Sequence, residues 1–443
     1  MSKEPGIQEH YSEHLRQIQR RWEQALDEAG FEAAVVHSGT PLVSFLDDYE
    51  YAFRPNPLFL YWLPLTHHPD SVLMVRPGQA PLLCFYQPDD YWYQPPSDPE
   101  SWWADHFEVR IVQAADEWKS VIGSEMPANT AAIGDAPSLV DVFDGGRINP
   151  KNLVTRLHVQ RTCKTGYEIA CMAAASHLAA GAHRAAEEAF REGRSELEIH
   201  QTYLAACDHT DARLPYNNIV ALNEHGSVLH YQGRDARPPQ DSCSFLIDAG
   251  CTVHAYCSDV TRTYSRDDGP FADIIRAMDQ LQQQLVARVK AGVDFRQLHL
   301  ETHRGIARVL ADSGVINAEP DTAVESGLSA VFYPHGLGHF IGLQTHDVAG
   351  LIDNNGEPLP RPEGHPFLRL TRTLEPGNVL TIEPGLYFIE PLLRRWREHG
   401  DALVVDWDAV EGLMPYGGVR IEDNVVVEES GCRNLTREAF AAR

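Results

Sequence analysis

Lysine is scarce in this 443-residue chain: 5 lysines stand beside 32 arginines, and these 37 cations face 63 carboxylates, for a formal charge of −26. A surface this acidic repels phosphate, which argues against a nucleic-acid or anionic-membrane ligand. Long apolar runs are also missing; none approaches the ~18–20 residues that a membrane span requires. The opening segment, MSKEPGIQEHYSEHL, has no apolar signal core, so export is not expected. Eight cysteines lie scattered at 84, 163, 171, 207, 243, 251, 257 and 432, and none forms Cys-x-x-Cys. A chain of this size needs no disulfide staples, so buried thiols and a cytoplasmic location are expected. The Gly-x-Ser-x-Gly elbow, the P-loop and a strand-linked Gly-x-Gly-x-x-Gly are absent. Gly336-Leu337-Gly338 is followed by His339, outside any helix-opening context for phosphate.

Hydrophobic residues make up 43% and charged residues 23% of the chain, the texture of a globular protein. Its length suits two to three domains. From Gln8 to Gly30, Leu15, Ile18, Trp22 and Leu26 recur at helical spacing. FEAAVVHSG then reads as a buried strand, and LMVRP, PLLCFY, VRIVQA and AAIGDA as further strands, an α/β pattern up to about residue 150. A Pro- and aromatic-rich stretch at 86–103 reads as a long loop. A long Ala-rich helix is predicted over Tyr167–Glu192, and Ser195 with Glu198 forms a capping box that opens the next one. Beyond it, SFLIDAG and TVHAYCSDVTRTY read as strands, followed by helices near 270–291 and 295–312. The remainder is rich in Gly and Pro turns with short strands. These features predict an α/β (α+β) chain with a boundary near 150–165.

The second half concentrates carboxylates and imidazoles inside apolar strands. Asp248 ends the run Phe245-Leu246-Ile247, where a carboxylate is costly unless paired or bound to a metal. Asp259 follows eleven residues later, and Gly250 between them permits a chain reversal, so two neighbouring strands could present both aspartates to one point. PHGLGHFIGLQTHD carries His335, His339 and His346 among glycines, which let a site crowd together. In VLTIEPGLY, strand alternation sets Thr381 and Glu383 on one face and Leu380 and Ile382 on the other. In YGGVRIEDNVVV it sets Arg420, Glu422 and Asn424 against Val419 and Ile421. Asp248, Asp259, His339, Glu383 and Glu422 thus form a candidate set. Four carboxylates cannot share a small space without cations, because repulsion would protonate them. Two divalent ions would balance them; oxygen-rich ligands with one imidazole suit Mn²⁺, and also Co²⁺, Zn²⁺ or Fe²⁺. Such ions, roughly 3.5 Å apart, would create a hydroxide able to hydrolyse an amide or ester.

The series DAG, D, HGxGH, EPG and RIEDN resembles the pita-bread metallopeptidases, which include methionine aminopeptidase, aminopeptidase P and prolidase. FLDDYEYAF (45–53), YNNIVALNEH with LHY (216–231) and the YGGVRIEDN ending are similar to bacterial Xaa-Pro dipeptidases, whose close relatives include organophosphorus acid anhydrolases. The resemblance covers nearly the whole chain. It implies an N-terminal, creatinase-like α/β domain over residues 1–155, serving dimerisation and substrate access. It also implies a pita-bread catalytic domain over residues 160–443, with a curved, mostly antiparallel sheet.

The resemblance further implies a homodimeric, dimanganese enzyme that cleaves Xaa-Pro dipeptides. Asp248 would bind one metal, Asp259 and Glu422 would bridge both, and His339 and Glu383 would complete the shell of the other. Glu383 would also shuttle the proton, and His346 would stabilise the tetrahedral intermediate. His230, His335 and Arg420 match residues lining the family's substrate pocket, with Arg420 and a histidine holding the dipeptide carboxylate; Tyr216 and Leu229 would line pockets. Asp48 or Asp47 would reach the partner subunit's site and meet the substrate amine. Two positions depart from the family pattern: Phe340 stands where bacterial prolidases carry proline, and Thr345 where an aliphatic residue is expected. Both bear on pocket shape and leave the predicted ligands unchanged. The rival functions are aminopeptidase P, acting on longer peptides with the same metal set, and a metal-free amidinohydrolase or a dead binding relative, either of which would lack ligands. Phosphotriester hydrolysis is a plausible side reaction of the same nucleophile.

Overall fold

A computed structural model of the protein describes residues 6–442. The chain divides into two compact units, one running to Arg161 and including 165–171, the other comprising 162–164 and 172–443. In the first unit, helix Tyr11–Ala29 buries the face predicted from its spacing: Leu15, Ile18, Trp22 and Leu26 are all inaccessible or nearly so. The helix ends at Gly30, whose φ of 79° makes a left-handed cap that a side chain would strain. The five predicted strands form: β1 (Ala33–His37), β2 (Val72–Val75), β3 (Leu82–Tyr86), β4 (Glu108–Val112) and β5 (Thr130–Ile133). They make one mixed sheet in the order β4-β3-β2-β1-β5, with β1–β5 and β3–β4 parallel. Val35, Val72, Met74, Leu82 and Cys84 pack on Trp118 and Ile122 to form its core. The stretch 86–103 is loop, apart from a turn of helix at Ser101–Ala104.

In the second unit, the Ala-rich helix spans Gly166–Arg191, its opening turns grouping with the first unit. The next helix, Glu196–Cys207, has the predicted box: Glu198 N–H donates to Ser195 Oγ and Ser195 N–H to Glu198 Oε2. Strands β6 (Ile219–Leu222), β7 (Ser244–Asp248), β8 (Thr252–Val253), β9 (Tyr256–Cys257) and β10 (Thr261–Ser265) follow. The central β7 lies antiparallel to both β6 and β10. Its alternation splits the core. Phe245 and Ile247 pack with the Ala-rich helix, while Leu246 faces Ile219, Ala221 and Tyr387.

The single strand expected over 252–264 is instead a tight hairpin, β8–β9, followed by β10. Its reversal lies at His254 and Ala255, both with positive φ (49° and 70°), the backbone of a two-residue hairpin turn. Gly250 therefore does not supply the reversal. It is required by close approach, since a Cβ there would stand 2.1 Å from the Ser258 carbonyl oxygen.

The helices Pro270–Val286 and Phe295–Asp312 cover the remaining strands: β11 (Val379–Ile382), β12 (Gly385–Tyr387), β13 (Gly418–Arg420), β14 (Asp423–Glu428) and β15 (Gly431–Asn434). Sheets β11-β14-β15 and β12-β13 are antiparallel. An isolated bridge joins Thr261 of β10 to Glu422. Leu380, Ile382, Val419, Ile421 and Val425 all enter one core with the two helices. Among the described residues, no helix is long and apolar enough to cross a membrane.

Gly250→Ala should destabilise the fold by about 2 kcal/mol, the scale of forced overpacking against backbone. An unchanged urea midpoint would contradict the close approach.

Candidate metal centre

Asp248 is the last residue of β7, and its register partner across the ladder is Thr261. Thr261 in turn bridges to Glu422, so three adjacent chains bring two carboxylates together. Thr261 Oγ1 donates to Glu422 Oε2 at 2.7 Å, and Glu422 N–H donates to the Thr261 carbonyl at 3.0 Å. Asp259 stands just before β10. Asn424 fixes its backbone from both sides: Asn424 Nδ2 donates to the Asp259 carbonyl, and Asp259 N–H donates to Asn424 Oδ1. Asp423, pointing the other way, is buried and satisfied by Arg262, Gln282, Asn434 and Arg437. The RIEDN segment therefore serves two sides of one sheet.

His339 is set by a similar clamp. Its N–H donates to Thr381 Oγ1, and the Thr381 N–H donates back to the His339 carbonyl. Gly338 allows this approach: a Cβ there would lie 2.0 Å from the Thr381 carbonyl oxygen. The His339 ring contacts the Phe340 carbonyl through Nδ1 at 2.9 Å, which makes Nδ1 the protonated nitrogen. Nε2 faces Asp259 Oδ2 at 3.5 Å and Glu383 Oε1 at 3.7 Å; burial disfavours the imidazolium, but these two carboxylates outweigh it and raise His339. A ring whose outer N–H is held by a carbonyl is the usual arrangement of a metal-binding imidazole.

Asp259, His339 and Glu422 form a buried group whose potential ligand atoms all lie within 4.8 Å of one another. Glu383 adjoins it through His339. Asp248 adjoins it through Tyr216, whose hydroxyl donates to Asp259 Oδ1 at 2.5 Å and also lies against Asp248. The five side chains singled out in the sequence thus converge.

The electrostatics of this point are set by burial and by carboxylates crowded together. Burial first, then the neighbouring carboxylates, push Glu383 up to about 7 and Glu422 well above the carboxylate range. Burial also raises Asp248, against the opposing pull of Arg420. Asp259 moves the other way. Burial pushes it up, but the hydrogen bond and charge of His339 outweigh that push. Asp248 Oδ1 is buried without a hydrogen-bond partner. A buried acceptor left open beside three further carboxylates fits a cation-binding site, since each such oxygen otherwise costs the full desolvation penalty. The donors, four carboxylates and one imidazole, suit hard to borderline divalent ions.

The remaining predicted residues are distributed around this centre. Arg420 is buried and committed: it donates to Asp248 Oδ2 (2.7 Å), Tyr387 Oη (2.8 Å) and Thr261 Oγ1 (3.2 Å). Both ring nitrogens of His335 are likewise engaged, Nδ1 with the Gly336 carbonyl and Nε2 with Tyr387 Oη, each at 2.8 Å. Burial, followed by the Arg420 charge, holds His335 neutral, down to about 3. His346 packs edge-on to His339 with ring centroids 4.4 Å apart and opens to solvent. Burial and the His339 and Arg369 charges depress it to about 4. The next residue, Asp347, is anchored by a fully buried ion pair with Lys164 at 2.8 Å. Exposed His230 lies close enough to His335 and His346 to lower both, and Leu229 packs on the cluster of Ile219, Leu246 and Tyr387. Asp48 lies in an exposed segment of the first unit.

Several supporting roles escaped the sequence reading, which gave Thr381 and Asn424 only as sharing a strand face with Glu383 and Glu422. Tyr387 joins Arg420 to His335, and Thr261, Thr381 and Asn424 orient the carboxylates and His339. Arg369 is an exposed cation acting on His346. Strand alternation from Glu383 would have reached Tyr387; no local signal marks Arg369.

Residues 170–429 match the profile described as metallopeptidase family M24, and residues 9–159 that of the Xaa-Pro dipeptidase N-terminal domain. A protein of Xanthomonas oryzae pv. oryzae described as Xaa-Pro dipeptidase is 46% identical over 441 residues, covering 99% of both chains. One of Stenotrophomonas maltophilia with the same description is 47% identical, covering 98% of this chain and 97% of its own. Among solved structures, aminopeptidase P of Escherichia coli superposes with a TM-score of 0.72 at 22% identity, covering 96% of this chain and 97% of that one. Aminopeptidase PepP of Pseudomonas aeruginosa gives 0.72 at 22%, covering 98% of each. These two likenesses establish the shared fold. The chain belongs to the M24 metallopeptidases of pita-bread fold, in the family of bacterial Xaa-Pro dipeptidases, or prolidases.

Proposed function

We propose that this protein is a cytoplasmic, homodimeric dipeptidase that hydrolyses Xaa-Pro dipeptides with two divalent ions, Mn²⁺ foremost. The observation that carries this reading is the convergence of two buried and two partly buried carboxylates on the Nε2 edge of one imidazole. The substrate class comes from the relatives that align end to end with the chain and from the dipeptidase-type N-terminal domain.

In this reading Asp248, Asp259, His339, Glu383 and Glu422 would hold the ions. Bound there, two divalent ions neutralise the carboxylates, polarise the scissile carbonyl and supply a nucleophilic water at neutral pH. The protein's own groups perform the rest. Glu383, 3.7 Å from His339 Nε2, accepts the proton of the attacking water and passes it to the leaving proline nitrogen. His346, solvent-facing beside the centre, donates to the oxyanion that develops at the carbonyl. Arg420 donates from all three of its nitrogens, to Thr261, Tyr387 and Asp248, so in this reading it holds Asp248 and, through Tyr387, the neutral ring of His335. His335 then acts as a fixed wall of the pocket, alongside Tyr216 and Leu229. Arg369 and His230 are the solvent-facing cationic and imidazole groups suited to the dipeptide carboxylate. Asp48 of the partner subunit would meet the substrate's free amine.

Chelator-stripped protein should be inactive, and added Mn²⁺ should restore cleavage of Ala-Pro but not of Ala-Pro-Ala or Ala-Pro amide. Cleavage of the tripeptide would move the reading to aminopeptidase P. Hydrolysis of the amide as fast as the acid would remove the carboxylate contact. For His346→Ala we expect an unchanged metal content and a kcat lower by ~10²–10³. Loss of metal in step with activity would instead make His346 a ligand.

A further inference from the structure

Outside the carboxylate centre, the helix Phe295–Asp312 carries His299 and His303 one turn apart, so both rings leave the same face. His365 meets them from the segment between Asp353 and Thr373. The three rings pack at centroid distances of 4.8, 4.7 and 4.5 Å, and their potential ligand nitrogens all lie within 4.8 Å of one another. His299 and His303 are each only 1% exposed. A buried imidazole normally satisfies both nitrogens, and these two do not. His299 Nδ1 and His303 Nε2 have no hydrogen-bond partner, and neither has the hydroxyl of Tyr333, whose ring packs on both.

The pattern of what is satisfied is informative. His303 Nδ1 pairs with Ser329 Oγ at 3.0 Å, and Nε2 is the nitrogen left without a partner. This repeats the arrangement at His339, where an outer contact fixes the ring and the inner nitrogen faces the site. His299 Nε2 and His365 Nδ1 oppose each other at 3.0 Å, so two lone-pair nitrogens share a single proton. Tetrahedral ligands at the usual metal–imidazole distance would sit about 3.4 Å apart. The rings therefore need only small rotations to admit an ion in place of that proton. Burial keeps all three below the ordinary imidazole range, His303 at about 3, so each is a neutral ligand at pH 7.

We infer that His299, His303 and His365 form a third metal site, for a borderline transition ion of the Zn²⁺, Ni²⁺ or Cu²⁺ class, that clips the segment carrying His365 to the helix. The group contains no carboxylate, and imidazole-only donors discriminate against Mn²⁺ and Mg²⁺. The two centres thereby select different ions. Tyr333 lies between them, its ring 4.8 Å from that of His335. The inference is independent of the substrate reading above.

The test is to titrate the chelator-stripped full chain with Zn²⁺ and count tightly held ions after gel filtration. Wild type should hold one Zn²⁺ more than His365→Ala and His303→Ala. Both variants should keep Mn²⁺-restored cleavage of Ala-Pro within about threefold of wild type. His365 is half-exposed, so that variant remains informative if His303→Ala folds poorly. Equal Zn²⁺ counts in wild type and His365→Ala would overturn the site. So would an extra ion that Mn²⁺ binds equally well and that survives either substitution.

Discussion

Mutual repulsion among buried carboxylates is the constraint on which the second unit is organised. Asp248, Asp259, Glu383 and Glu422 come from four different stretches of chain, and no fold would gather them in a low-dielectric interior for stability alone. Burial, with their mutual repulsion, pushes three of them towards protonation. Only Asp259, facing the His339 imidazole, is held ionised. Cations reverse that balance, because a divalent ion is the largest local charge and inverts the pKa logic around it. The geometry that is costly without metal is the one that binds it.

Neutral and cationic neighbours keep the carboxylates in position. Thr261 touches both Glu422 and Arg420; Arg420 touches Asp248 and Tyr387; Tyr387 touches His335. A displacement anywhere along this chain would be felt at two ligands. Asn424 and Thr381 fix backbone rather than side chains, which sets where Asp259 and His339 can reach. Such supporting contacts limit each ligand to one orientation. They also explain why the strands here are short and interrupted: β13 stops at Arg420 and β14 begins at Asp423, leaving Glu422 at the break.

Much of this was legible in the sequence, for identifiable reasons. The amphipathic helix was marked by Leu15, Ile18, Trp22 and Leu26, and the Ser195–Glu198 box marked the start of another. Alternation put Glu383 beside Thr381 and Glu422 beside Arg420, and family motifs named the five converging residues. What escaped depends on distant packing. The hairpin at His254–Ala255 uses two non-glycine residues at positive φ, so no Gly or Asn announced it. Gly250 looked like a turn and proved to be a close contact with Ser258. Arg420 was matched to the substrate pocket, and only the folded sheet shows it donating to Asp248, Tyr387 and Thr261. The His299–His303 pair reads as a helix face until His365 arrives from a loop about sixty residues away.

The central claim is that these carboxylates exist to share two cations, and counting bound Mn²⁺ tests it most directly. Elemental analysis of wild type and Glu422→Ala, each equilibrated with Mn²⁺ and freed of excess, should give two ions per chain in the first and at most one in the second. Two ions retained by Glu422→Ala, or none held by wild type, would contradict the claim.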